Sequence, residues 1–161
     1  QDLTTIVYTS EVREYIAPLV AGQHKELSEN IRRRLSLPKP SLKDYLLAEA
    51  DLGKIRSYIA RFFTDYDLLL CPTSPVTAPA HDASELVING HTVEPRNMMR
   101  ATIPFNITGS PAVTVPFGWS EDGLPIGVQL IGRHFDEKNI LRASLTLEGL
   151  HKANQQHPKI S

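Results

Sequence analysis

The stretch Asn106-Ile107-Thr108-Gly109-Ser110-Pro111-Ala112-Val113-Thr114-Val115-Pro116-Phe117-Gly118 decides how this chain reads. A small-residue turn, Gly109-Ser110-Pro111, opens into an alternating apolar run closed by Pro116 and Gly118. Gly109 supplies backbone angles that other residues avoid. Pro111 starts the strand where its missing N–H does no harm. The alternation after it predicts a strand. Ser110 offers a second reading, a nucleophile on an exposed turn. The elbow that lifts a serine above an α/β sheet needs Gly-x-Ser-x-Gly running from a strand into a helix. Here the turn runs into a strand, Pro111 follows the serine, and Ala112 is not glycine. The stretch reads as a hinge into a strand.

The flanks extend the pattern. Glu121-Asp122-Gly123 marks a turn, Gly127 to Ile131 a second strand, and Asp136 the cap of a final helix with Ile140, Leu141, Ala143, Leu145 and Leu147 inside. Upstream, Arg96 to Ile103 predicts a short helix with Pro95 at its first position. Pro72 to Pro95 is an irregular loop holding Pro72, Pro75, Pro79 and Pro95, with Asn89-Gly90 as a hairpin signal. Leu68 to Cys71 is a continuous apolar run bounded by Pro72, which predicts a strand buried on both faces. Ser41 and Asp44 form a capping box for a long helix. Its inward positions are Leu42, Tyr45, Leu46, Leu52, Ile55, Ile59 and Phe62, with Arg56 and Arg61 outward and Asp65-Tyr66-Asp67 at its end.

Nearer the start, Ile6-Val7-Tyr8 reads as a strand. Ser10 then reads as an N-cap, with Glu11 and Glu14 in the first turn and Val12, Ile16, Leu19 and Val20 on one face. Gly22 weakens that helix, and a second one carries Leu27, Ile31 and Leu35. It ends in Arg32-Arg33-Arg34 with Pro38 and Pro40 beyond, cations at a helix terminus rather than a nucleic-acid patch, since no aromatic residues interleave them. The order of elements gives the α/β class with a thin sheet.

Composition bounds the function. The chain has 161 residues, 41% hydrophobic and 22% charged, an ordinary globular balance. A net charge of -1 supplies no global field toward nucleic acid or an anionic membrane. The single cysteine, Cys71, cannot form an internal disulfide and fits a reducing compartment, so a cytoplasmic setting is expected. No apolar run approaches the roughly 20 residues of a membrane span, and no signal peptide opens the chain. It begins Gln1-Asp2-Leu3 without methionine, which leads to the expectation of a piece cut from a longer protein; a trimmed complete domain is the alternative.

His24, His81, His91, His134, His151 and His157 are scattered, without metal-ligand spacing. Nothing near Cys71 is cationic, so an activated thiolate is not expected there. Hydrolysis through a covalent intermediate needs a nucleophile, a proton shuttle and an oxyanion hole, and the residues alone do not supply all three. The polar tail from Gln155 to Ser161 is expected to fray.

Three segments in order resemble the C-terminal part of the amidase signature family. They are Asp65-Tyr66-Asp67-Leu68-Leu69-Leu70-Cys71-Pro72-Thr73-Ser74-Pro75, Pro104-Phe105-Asn106-Ile107-Thr108-Gly109-Ser110-Pro111-Ala112-Val113-Thr114-Val115-Pro116, and Gly123-Leu124-Pro125-Ile126-Gly127-Val128-Gln129-Leu130-Ile131-Gly132. Asp136 to Glu148 is similar to the family's last helix. The likeness is strongest over residues 58–148, and it makes residues 1–161 the C-terminal portion of a single amidase domain.

The resemblance implies a three-layer α/β/α fold around a mixed sheet and hydrolysis of carboxylic amides, a C–N hydrolase reaction giving acid and ammonia or amine. It implies a Ser-Ser-Lys triad in a Gly/Ser-rich region well before the matched part. No such region is present here. Lys25, Lys39, Lys43, Lys54, Lys138, Lys152 and Lys159 lie outside any matching motif, so no catalytic residue is assigned. By the same likeness Thr102, Phe105 and Asn106 line the acyl side of the substrate pocket, with a helix end packed on the core as the equal alternative for each.

No cofactor and no metal are implied. The partners implied are a small-molecule amide and the N-terminal part of the same amidase, with self-association through uncovered apolar surface, and neither nucleic acid nor a membrane. The glutamine-using subunits of glutamyl-tRNA amidotransferases are similar too, but Thr108 departs from their "N-aG-P" pattern, which favours a general amidase. Two alternatives stay open: a non-catalytic binding or scaffolding module on the same fold, and a self-contained hydrolase using Ser110 or Cys71.

Overall fold

A computed structural model of the chain describes residues 3–23 and 26–150. Gln1, Asp2, His24, Lys25 and residues 151–161 lie outside the described residues, and with them His151, His157, Lys152, Lys159 and the expected frayed tail. The chain divides into two compact units, Gln1–Tyr58 and Ile59–Ser161.

In the first unit, helix α1 spans Leu3–Leu19, so Ile6-Val7-Tyr8 is helical rather than a strand. Ser10 does not cap it. The serine sits mid-helix, and its Oγ donates to the Ile6 carbonyl one turn back at 2.9 Å. Glu11 and Glu14 therefore belong to the middle of α1. The reason is periodic: Ile6, Val7 and Thr9 are buried while Tyr8 is exposed, a pattern that a short apolar run does not distinguish from a strand.

Helix α2 spans Glu29–Ser36, with Glu29 in its first turn and Arg33 and Arg34 in its last, as charge and dipole dictate. Helix α3 spans Leu42–Asp65. Its capping box is formed: the Asp44 amide donates to Ser41 Oγ at 3.1 Å and the Ser41 amide to Asp44 Oδ2 at 3.3 Å. Ala48, Leu52, Ile55, Ile59 and Phe62 follow one helical stripe, with Phe63 beside it, and all are buried or half-buried. Leu42 and Leu46, expected inside, lie off that stripe and are exposed.

The second unit is built on a three-stranded sheet of order β1-β5-β4. Strand β1 is Leu68–Pro72. A hairpin follows, with β2 at Leu86–Ile88 and β3 at His91–Val93. Asn89 and Gly90 turn it with φ of 50° and 75°, the double left-handed geometry that Asn-Gly favours. The expected helix from Arg96 to Ile103 is instead a 3-10 turn at Pro95–Met99, with Pro95 at its start, followed by helix α4 at Ile103–Thr108.

Gly109, at φ 69°, closes α4. The Ser110 amide donates to the Phe105 carbonyl at 3.1 Å and the Gly109 amide to the Asn106 carbonyl at 3.3 Å, the paired bonds of a Schellman closure. Strand β4, Ala112–Trp119, leads through the Gly123 turn to β5, Pro125–Gly132, and helix α5 occupies Glu137–Leu150.

Both β1 and β4 run antiparallel to β5, with Leu69 opposite Ile131 and Val113 opposite Leu130. β5 is central and carries the most buried strand positions; Ile131 has no exposed surface. β1 lies at an edge of this sheet, and Leu70 is 51% exposed, so the strand is not buried on both faces. Continuous apolarity is necessary for such burial but does not create the covering layer. The core gathers Phe63, Phe105 and Ile131, with Ile59, Phe62, Leu69 and Cys71 against them. In α5 the inward stripe is Ile140, Ala143, Ser144 and Leu147, while Leu141 and Leu145 face out.

At Gly132 a Cβ would stand 2.8 and 2.9 Å from Ile140 side-chain carbons. The close approach of α5 to the end of β5 thus depends on glycine. Gly132→Ala should cost about 1–3 kcal/mol in overpacking, read as a lower urea midpoint. An unchanged midpoint refutes the close approach.

Candidate functional site

The three residues singled out by sequence stand on α4 and its lead-in. Thr102 precedes the helix; its hydroxyl donates to the Met99 carbonyl at 3.0 Å. Its carbonyl accepts from the Phe105 amide at 3.1 Å and the Asn106 amide at 3.2 Å. Asn106 is exposed and Thr102 half-buried. Four residues apart, they lie on one side of the helical turn. Phe105 turns the other way and packs into the core with Phe63 and Ile131. The structure therefore groups Thr102 and Asn106, and puts Phe105 behind them as a core residue.

Ser110 is only 9% exposed, and its Oγ lies 2.9 Å from Thr108 Oγ1. The Thr108 hydroxyl donates to the Pro104 carbonyl at 2.9 Å, so the proton between the two hydroxyls comes from Ser110. Ser110 is thus buried and committed to Thr108 at the hinge between α4 and β4.

Cys71 is half-buried at the inner side of β1. Burial pushes its thiol above the usual range, and the nearby Gln129 carboxamide acts the other way. A thiol kept protonated is a poor nucleophile.

Sequence reasoning missed Gln129. It is 2% exposed in β5, and its Nε2 donates to the Ala101 carbonyl at 2.7 Å and the Pro72 carbonyl at 3.2 Å. The available signal was a polar residue inside the apolar run Gly127 to Ile131. His134, also unassigned, packs its ring against Gly109: the Cε1 lies 3.5 Å from where a Cβ would stand.

The first unit holds a separate feature. A cleft of about 420 Å³ is lined by Tyr8, Glu11, Val12, Tyr15, Ile16, Ile31, Arg34 and Leu35. The Arg34 guanidinium lies 5.1 Å from the Tyr8 ring centre, and the Tyr45 hydroxyl donates to Glu11 at 3.0 Å. Among the described residues, no three His, Cys, Asp or Glu side chains are grouped to hold a metal ion. No helix among them is long and apolar enough to cross a membrane.

The chain is similar to known proteins over most of its length. The family model described as Amidase matches residues 5–141. A fatty acid amide hydrolase of Medicago truncatula is 35% identical over 140 residues, 85% of this chain and 23% of its own length. The A component of the glutamyl-tRNA(Gln) amidotransferase of Halothermothrix orenii is 32% identical over 163 positions, 95% of this chain and 32% of its own length. The crystal structure of an amidase superposes with a TM-score of 0.76 at 28% identity, over 90% of this chain and 35% of that one. A chain from a vestigial complex tied to the origins of an s-triazine catabolic enzyme superposes with a TM-score of 0.81 at 27% identity, over 92% of this chain and 33% of that one. The chain spans a third or less of the length of these curated relatives.

The raised Cys71 pKa has a signed consequence. A thiol whose folded pKa lies above its unfolded value adds stability that is complete below the unfolded pKa and is lost as pH climbs toward the folded one. Iodoacetamide should therefore label Cys71 more slowly in the folded chain than in urea, and the native chain should weaken on the alkaline side. Cys71→Ser should flatten that alkaline decline; an identical pH profile for both proteins contradicts it.

Proposed function

The chain belongs to the amidase family, and from that premise we propose that it is the C-terminal portion of an amidase converting carboxylic amides to acid and ammonia or amine. The observation that carries this is architectural. The three family-like segments are β1 with its loop, α4 running into β4, and β5, and these pair into one sheet around one core. The chain's own part in the reaction is to hold the substrate. Thr102 and Asn106 present a hydroxyl and an amide to the acyl side of the pocket, while Phe105 supports them from the core. The nucleophile, bridging serine and lysine lie on the N-terminal part, the partner of this portion.

The acyl group here is that of a general small-molecule amide. Thr108 departs from the amidotransferase pattern, and a net charge of -1 offers no field for tRNA. Exposed Leu70, Leu141 and Leu145 are the apolar positions for the rest of the amidase, or a second copy, to cover. A lone half-buried thiol is consistent with a reducing, cytoplasmic setting. The commitment of Ser110 to Thr108 and the raised Cys71 thiol pKa speak against a self-contained hydrolase, and a non-catalytic module on the same fold is the second reading.

Two measurements separate these readings. The 161-residue chain alone should release no p-nitroaniline from acyl p-nitroanilides, whereas the amidase containing it should turn them over. In that amidase Asn106→Ala and Thr102→Ala should each raise KM by about 3- to 10-fold, with kcat little changed, as expected for loss of one binding hydrogen bond. Turnover by the chain alone, with an acyl group mapped to Ser110 or Cys71, defeats the proposal.

A further inference from the structure

Gln129 stands at the crossing of three segments that are distant in sequence. It lies on the central strand, on the same face as Ile131 two residues on. Its carboxamide carries two N–H groups. They meet two main-chain carbonyls, Pro72 at the end of β1 and Ala101 just before α4. The match of two protons to two acceptors fixes the amide's orientation, because its oxygen would repel both. At 2% exposure, water cannot replace it.

The consequence concerns α4. Its middle is held by Phe105 against Ile131. Its lead-in is held by Gln129 through Ala101 at 2.7 Å. Two holds on one strand face, about 7 Å apart, leave a helix of six residues little freedom to slide or rotate. Thr102 follows Ala101 directly, and its carbonyl receives the Phe105 and Asn106 amides.

We infer that Gln129 is a positioning residue: it pins the Ala101 carbonyl and thereby sets the placement of Thr102 and Asn106 toward substrate. This rests on the reading of Thr102 and Asn106 as substrate-facing. A leucine or methionine would fill the space but offer neither carbonyl a donor. Asparagine is one methylene too short to reach the same acceptors from the same strand position. An ionised glutamate would offer them no proton at all.

The test compares Gln129→Met with the unmodified protein by amide hydrogen exchange and by kinetics. In the variant, the Phe105 and Asn106 amides should exchange about tenfold faster, beyond any change in the β4–β5 ladder, as loss of one buried hydrogen bond predicts. In the complete amidase the same variant should raise KM for an acyl p-nitroanilide about tenfold while kcat stays within about twofold. Local loosening with raised KM supports the inference. Local loosening with unchanged KM keeps the pin but removes Thr102 and Asn106 from the substrate site, overturning the reading beneath it. Uniform loosening, or none, overturns the pin itself. Should Q129M fail to fold, native-state exchange of the unmodified chain decides. The Phe105 and Asn106 amides should open together with β5, and independent opening of α4 at lower urea refutes the inference.

Discussion

The second unit depends on one constraint: the inner face of β5 must be sealed. Ile131 retains no contact with water, and a strand flanked by β1 and β4 has no other way to shield its side chains than to draw helices onto it. Phe63 from α3 and Phe105 from α4 meet there, while on the strand's opposite face α5 comes close to Gly132, where a Cβ would meet Ile140. The burial is worth about 25 cal/mol for each Å² of apolar surface removed from water, which makes this junction the main local source of cohesion. Interaction at this face, more than helix propensity, explains why six residues suffice for α4.

That seal also determines where polar chemistry can sit. Apolar side chains fill the positions around Ile131, so the carbonyls that stray into the same space need a donor, and Gln129 provides it. Ser110 and Thr108 solve the same difficulty by bonding to each other and to α4. Hydroxyls spent in this way belong to the scaffold. The second unit therefore divides between an inner layer, where polar groups such as these are committed, and the turn of α4, where Asn106 remains open to solvent.

Much of this is legible in the residues, and the failures share a cause. The capping box at Ser41 and Asp44, the Asn89-Gly90 turn, the glycine closure before Ser110 and the strands on either side of Gly123 all rest on backbone preferences that act within a few residues. Those survive folding intact. Leu42, Leu46, Leu141 and Leu145 read as inward because they are apolar, but burial follows angular position on the helix and the presence of a neighbour. Ile6-Val7-Tyr8 reads as a strand because three residues cannot reveal a period of 3.6. Phe105 is legible as an apolar residue of the α4 segment, yet that its ring turns inward depends on the long-range contact with Ile131. Gln129 escapes notice because its acceptors are backbone atoms 28 and 57 residues away.

The outer side of β1 carries a further consequence. Leu68-Leu69-Leu70-Cys71 is a short, uncharged, aliphatic strand at a sheet margin, with Leu70 half uncovered. Such a margin is a template on which any extended aliphatic segment can be laid down by main-chain pairing, its own sequence in a neighbouring molecule included. A strand laid along that margin would occupy it and remove the template.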